Sequence, residues 1–131
     1  MKIVVDTSVI VAVIVSEPEK AALVSLTRGA ELIAPASVHW EIGNAFSAML
    51  KRKRIDVDQA MKAIEIYGKI PIRFLDVELE PSLLLAEELT IYAYDSYILR
   101  CALKYRCPMV SLDQNLIACA RKKGVRVLEV C

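Results

Sequence analysis

The sequence has one histidine, His39, one tryptophan, Trp40, and no two cysteines at C-x-x-C spacing. Cys101, Cys107, Cys119 and Cys131 all fall in the last third of the chain. A zinc site built on thiolates and imidazoles is therefore disfavoured. Buried thiols are the default, with a Cys107–Cys131 disulfide as the minority alternative. Long apolar runs are missing too: Val9 to Val15 is too short to span a bilayer and is bounded by Asp6 and Glu17. Met1-Lys2 leads straight into strand-like residues without a cleavable leader, so a cytoplasmic protein with no membrane contact is expected. Charge of one sign is absent as well. A net charge of +1 gives no strong field towards nucleic acid or membrane, although a local acidic site can be offset by basic residues elsewhere.

What is present is apolar and alternating. The chain has 131 residues, 56% hydrophobic and 25% charged, which predicts one globular domain over 1–131, with no repeat or linker. Strand-like pieces are expected at Ile3 to Val5, Glu31 to Ala34, Pro71 to Val77, Pro108 to Ser111 and Val125 to Val130. Helices are expected from Val9 to Val15, from Glu17-Pro18-Glu19 to Gly29, and from Ala36 to about Arg54. Further helices follow over Val57 to Gly68, Ser82 to Leu89, Asp95 to Tyr105 and Gln114 to Lys123. Alternation of this kind predicts an α/β fold: a central parallel sheet covered by helices on both faces, a three-layer α/β/α sandwich.

Four acids stand at telling places. Asp6 follows the β-branched run Ile3-Val4-Val5, at a strand's carboxyl end, where open α/β sheets place ligands. Asp95 opens an apolar helix, and Asp113 follows a strand and precedes a helix. Each of these three also has a reading as a helix cap. Glu41 has no such alternative. It lies inside a helix, and its i±3 and i±4 neighbours are Ser37, Val38, Asn44 and Ala45, so no cation is within local reach. A carboxylate on an apolar flank needs a partner elsewhere, unless it sits half-exposed at the edge of the stripe. If the four acids converge, pairs about 6 Å apart at an effective dielectric of about 20 repel by roughly 3 kcal/mol each. Such a cluster takes up protons or a cation. Oxygen ligands without clustered His or Cys point to Mg²⁺ or Mn²⁺. The implied reaction is metal-assisted attack of water on a phosphodiester.

The segments Val5-Asp6-Thr7-Ser8-Val9, Glu41 to Phe46, Tyr94 to Leu99 and Val110 to Leu116 occur in this order over nearly the whole chain. In these segments the sequence resembles PIN-domain ribonucleases, specifically the VapC-type toxins of toxin–antitoxin pairs. The resemblance implies an α/β/α sandwich and a Mg²⁺- or Mn²⁺-dependent endoribonuclease that cuts RNA, is usually a homodimer, and is restrained by a cognate antitoxin. It implies Asp6 and Asp95 as metal ligands, with Glu41 and Asp113 completing the acidic pocket. Thr7 or Ser8 would bond a carboxylate or water, and Asn44 would orient Glu41 or touch substrate. Ser111 stands where the family often has Thr, which keeps the hydroxyl. Tyr92 and Tyr94 crowd the approach to Asp95, where smaller residues are common.

Two other readings compete. One keeps the fold but loses catalysis, leaving a scaffold that binds RNA or the antitoxin. The other is phosphotransfer through Asp6, but Ser8 stands where haloacid-dehalogenase-like enzymes carry a second Asp, and the acidic pair and late Lys of response-regulator receivers are not evident. Lys51-Arg52-Lys53-Arg54 and Arg121-Lys122-Lys123 read as dipole-favoured helix ends, or else as phosphate tracks. Tyr92, Tyr94 and Tyr97 read as packing residues or base-stacking platforms. Trp40 is expected in the core or a dimer contact, and the apolar runs Leu83–Leu85 and Ile98–Leu103 in deep burial, a dimer face or a groove for an antitoxin helix.

Overall fold

The computed structural model describes residues 1–130. Its first strand, β1 (Lys2–Val5), has Ile3, Val4 and Val5 at 0–1% exposure. Burying such side chains stabilises by about 1.5–3 kcal/mol each, which makes β1 the natural centre of the sheet. Two helices follow, α1 (Thr7–Ile14) and α2 (Lys20–Thr27), then β2 (Glu31–Pro35). The next crossover is made by α3 (Ser37–Lys51) and α4 (Val57–Lys69), leading into β3 (Ile72–Leu75). The chain then returns through α5 (Leu79–Leu89) and α6 (Ala93–Tyr105) to β4 (Met109–Val110), and continues into α7 (Gln114–Lys122).

All pairings are parallel, in the order β3-β2-β1-β4, with Val4 opposite Ile33 and Met109, and Pro35 opposite Leu75. Parallel crossovers are right-handed. The connections β1→β2→β3 step one way and β3→β4 steps back, so α1–α4 cover one face and α5–α7 the other. Contacts of α1 with α2, α3 and α4, and of α6 with α5 and α7, follow this division, while α3 also touches α6. The direction reverses between β1 and β4, and that opening is where such sheets bind ligands. The α/β/α sandwich expected from the sequence is the architecture found.

Several local expectations are corrected. Val125 to Val130 is not a strand: a single parallel bridge, Met109 to Val127, is all that forms. It consists of Met109 N–H donating to Arg126 O at 3.0 Å and Leu128 N–H to Met109 O at 2.9 Å. β4 is only two residues long, because Ser111 and Asp113 already turn the chain into α7, so a neighbouring strand has almost nothing to pair with. Asp95 is the third residue of α6 and not its opening residue, since Tyr92 occupies the cap position. α2 starts at Lys20, with Glu19 as its cap residue, and α5 starts at Leu79, placing Pro81 within its first turn.

Trp40 is 68% exposed and so outside the core, edge-on to His39. Leu83 and Leu84 are exposed, whereas Leu85, Ile98 and Leu99 are buried. Cys101, Cys107 and Cys119 are free thiols; the alternative Cys107–Cys131 pairing involves a residue outside those described. Among the described residues, no helix is long and apolar enough to cross a membrane.

Candidate acidic site at the strand ends

Asp6 is the first residue after β1 and the N-cap of α1, accepting from Val9 N–H at 3.1 Å. Its capping role is therefore real, and it occupies only part of the carboxylate. Oδ1 also accepts from Ser8 Oγ at 2.7 Å, and Oδ2 accepts from Ser111 Oγ at 2.6 Å. Those hydroxyls are themselves fixed: Leu112 N–H donates to Ser8 Oγ and Asp113 N–H to Ser111 Oγ, each at 3.0 Å. The carboxyl ends of β1 and β4 are thus stitched together through Asp6. Burial, at 5% exposure, raises its pKa above the usual carboxylate range; bonds to Ser111, Ser8 and Val9 oppose this, and the charge of Asp113 adds to it.

Glu41 approaches from the second turn of α3 and is half-buried. Burial pushes its pKa up to about 7; the nearby Thr7 hydroxyl offsets part of the shift, while Asp95 and then Asp6 reinforce it. No well-formed hydrogen bond joins Thr7 to Glu41, and both Thr7 Oγ1 and Glu41 Oε1 are buried without a partner. Asp95, partly buried in the first turn of α6, has its pKa raised by burial and by Asp113. Asp113 is exposed and caps α7, accepting from Asn115 N–H at 3.0 Å and Leu116 N–H at 3.2 Å.

The acids influence one another in pairs: the charge of Asp113 acts on Asp6 and Asp95, and those of Asp95 and Asp6 act on Glu41. Among the described residues, none of the four pairs with a Lys, Arg or His. Ser8 and Ser111 sit directly on Asp6, and Thr7 faces Glu41. Asn44 is exposed, and among the described residues its side chain has no hydrogen-bond partner; its backbone carbonyl accepts from the Ser47 hydroxyl at 2.9 Å.

The basic clusters are elsewhere. α3 and α7 both begin at the acidic rim and run away from it. Ten residues at 1.5 Å each carry Lys51 about 15 Å from Glu41. Arg121 pairs with Glu129 at 3.8 Å and Lys123 with Glu88 at 2.8 Å. The sequence reading gave Glu19 no role beyond starting a helix. Its Oε2 is buried without a partner, in a cleft that Ser111 also lines, and nothing in the local sequence signalled this.

The donor set suits a hard divalent cation: it is all oxygen, without a local cation, and one buried carboxylate oxygen lacks any partner. As placed, no three acidic, His or Cys side chains among the described residues stand close enough to hold an ion together. Ligation by two carboxylates with water in the remaining positions is within what Mg²⁺ accepts.

A parallel α/β/α sandwich with an oxygen-only acidic crevice where its strand order reverses defines a narrow structural class. The chain belongs to the PIN domain family, whose model matches residues 3–122. No curated protein matches it by sequence. Among solved structures it is similar to PAE2754 from Pyrobaculum aerophilum, with TM-score 0.73, 19% identity, and coverage of 97% of this chain and 83% of that one. It is also similar to VapBC2 from Rickettsia felis, solved bound to a DNA fragment from their promoter. There the TM-score is 0.68 and the identity 16%, with 98% of each chain covered.

Proposed function

We propose that this chain, acting as one domain over residues 1–131, is a Mg²⁺- or Mn²⁺-dependent endoribonuclease. It serves as the VapC-type toxin of a toxin–antitoxin pair, in the cytoplasm, as a homodimer held in check by an antitoxin. Membership of the PIN family, whose domains are generally nucleases, supports the hydrolase reading. The likeness to VapBC2 supports the toxin reading. The observation that carries the site is Glu41: a carboxylate with a buried, unpartnered oxygen and a pKa near 7, set against Asp6 and Asp95.

Asp6 and Asp95 would hold the ion, with Glu41 and Asp113 completing the pocket. When bound, the ion activates water and neutralises charge on the phosphodiester. Ser8 and Ser111 hold the Asp6 carboxylate in one orientation, and Oδ2, which accepts a single hydrogen bond, keeps a lone pair free. The Glu41 carboxylate would stand beside the ion and accept the proton of the attacking water. Purified protein should cut RNA with Mg²⁺ or Mn²⁺ and stop when EDTA is added. Asp95→Asn should lower cleavage by roughly 100-fold or more while leaving the melting temperature nearly unchanged. Full activity in that variant would sink the site.

The spacing of the acids favours one rival, a catalytically silent scaffold that binds RNA or the antitoxin, because no three of them converge as placed. That reading predicts partner binding indifferent to EDTA and no cleavage with any divalent ion.

A further inference from the structure

A cavity of about 250 Å³ opens at the carboxyl ends of β2 and β3, on the same rim as the acidic crevice. Its wall includes Ser37, Asp76, Val77, Leu79 and Tyr97. Ser37 lies one helical turn before Glu41 on α3, and Tyr97 two residues after Asp95 on α6. The helices that carry the acids therefore also wall the cavity. Strands are about 4.8 Å apart, so the cavity lies roughly 5–10 Å along the rim from Asp6, about one nucleotide away.

Its chemistry is mixed. The Tyr97 ring, held edge-on against Tyr94 with centroids 6.2 Å apart, is half-buried, and with Val77 and Leu79 gives the wall an apolar character. Ser37 Oγ is buried without a hydrogen-bond partner. The Asp76 carboxylate has no hydrogen bond or ion pair among the described residues; only its backbone carbonyl is engaged, by Lys104 Nζ at 3.0 Å and Tyr105 Oη at 2.9 Å. The volume is below the usual range for drug-sized ligands and suits one planar ring system.

Resting on the nuclease reading above, we propose that this cavity is a nucleobase subsite that selects guanine next to the scissile phosphate. An ionised carboxylate only accepts, and two oxygens side by side match two adjacent N–H donors. On their Watson–Crick edges, adenine and cytosine each offer an amino group beside an acceptor, and uracil offers one imino N–H between two acceptors. Guanine alone presents imino and amino donors together. Single-stranded RNA is read in this way, by base edges and by aromatic faces. Ser37 Oγ then meets a further polar atom of the base, and the Tyr97 ring contacts its face.

The test is independent of cleavage. GMP, IMP, AMP, CMP and UMP are titrated into the full chain in EDTA and followed by NMR. GMP should bind at least about 10-fold more tightly than IMP, which lacks the amino donor, and more tightly than the other three. Asp76→Asn, isosteric and at an exposed position, should abolish the GMP preference without changing the melting temperature. Ser37→Ala should weaken GMP severalfold. Equal binding of all five nucleotides, or a preference that survives Asp76→Asn, overturns the subsite. Sequencing the ends of RNA cut by wild type and by Asp76→Asn adds a second readout: guanine enriched beside the cut in the first and not in the second. RNA cut by both with the same preference refutes the subsite and leaves the nuclease standing. Guanine-selective binding without any cleavage refutes the nuclease and leaves the subsite.

Discussion

The acidic crevice has two halves that differ in how their charges are held. Around Asp6, every oxygen has a donor: a backbone N–H and the Ser8 hydroxyl on one, the Ser111 hydroxyl on the other. Around Glu41, one oxygen is buried with no partner, and the nearest hydroxyl, Thr7 Oγ1, is unpartnered too. The first half ties β1 to β4 and caps a helix, so it contributes to the fold whatever else it does. The second half opposes the fold, because a desolvated carboxylate beside other carboxylates stabilises nothing. A chain that keeps such a group gains something outside stability. The difference makes Glu41, more than Asp6, the residue on which the proposed chemistry is best tested.

The largest expected effect breaks the well-held half. Asp6→Ala removes a helix cap, costing about 1 kcal/mol, and strips the acceptor from the buried Ser111 hydroxyl and the half-buried Ser8 hydroxyl. Relief from burying a charge offsets part of this. The net loss should be about 3 kcal/mol, a fall in melting temperature on the order of 10 °C, read by thermal denaturation. A change under about 1 kcal/mol would mean that the network carries no structural weight.

That double role explains why Asp6 was ambiguous in the sequence. A carboxylate after Ile3-Val4-Val5 reads first as a helix cap and second as a ligand, and it makes the cap bond while retaining acceptor capacity. The parallel sheet was legible because alternating apolar runs and helix signals are local. That Glu41 lacks a partner was legible because the absence of a cation at i±3 and i±4 can be counted along a helix. Other features depended on distant partners. The Val125 to Val130 run has strand composition, yet β4 offers it a single residue to pair with. Nothing near Asp95 signalled that α6 begins two residues earlier, because Tyr92 makes no side-chain cap bond. Ser111 on Asp6 is a contact across 105 residues, reached only through the β1–β4 pairing. The cavity beside Tyr97 needs three elements at once.

The second prediction concerns the poorly held half and has the opposite sign. The folded pKa of Glu41, about 7, lies above its ordinary 4.5. Between these values the folded state binds more protons than the unfolded one, so metal-free stability falls as pH rises through that window. Burial of Asp6 and Asp95 acts in the same direction. Glu41→Gln should therefore stabilise the metal-free protein at pH 8 by about 1 kcal/mol, after allowing for solvent screening of a half-buried group, and by nothing at pH 4.5. Thermal melts in EDTA across this range give both the sign and the slope. With Mg²⁺ added, wild type should gain stability at pH 8 and Glu41→Gln much less. A Gln variant less stable than wild type at pH 8 would show that Glu41 has a structural partner.

The smallest expected effect comes from a residue at the edge of the well-held half. Asp113 caps α7, and its charge raises the pKa of Asp6 and of Asp95. Asn is an equally good cap, so Asp113→Asn keeps the bonds from Asn115 and Leu116 while removing the charge. Water screens this exposed carboxylate, and the two changes nearly cancel: stability should move by less than about 0.5 kcal/mol. Mg²⁺ binding is different, because a cation feels the lost charge directly, and the stabilisation Mg²⁺ confers in thermal melts should shrink. If Asp113→Asn leaves that shift intact, Asp113 is a cap alone, and the acidic site reduces to Asp6, Glu41 and Asp95.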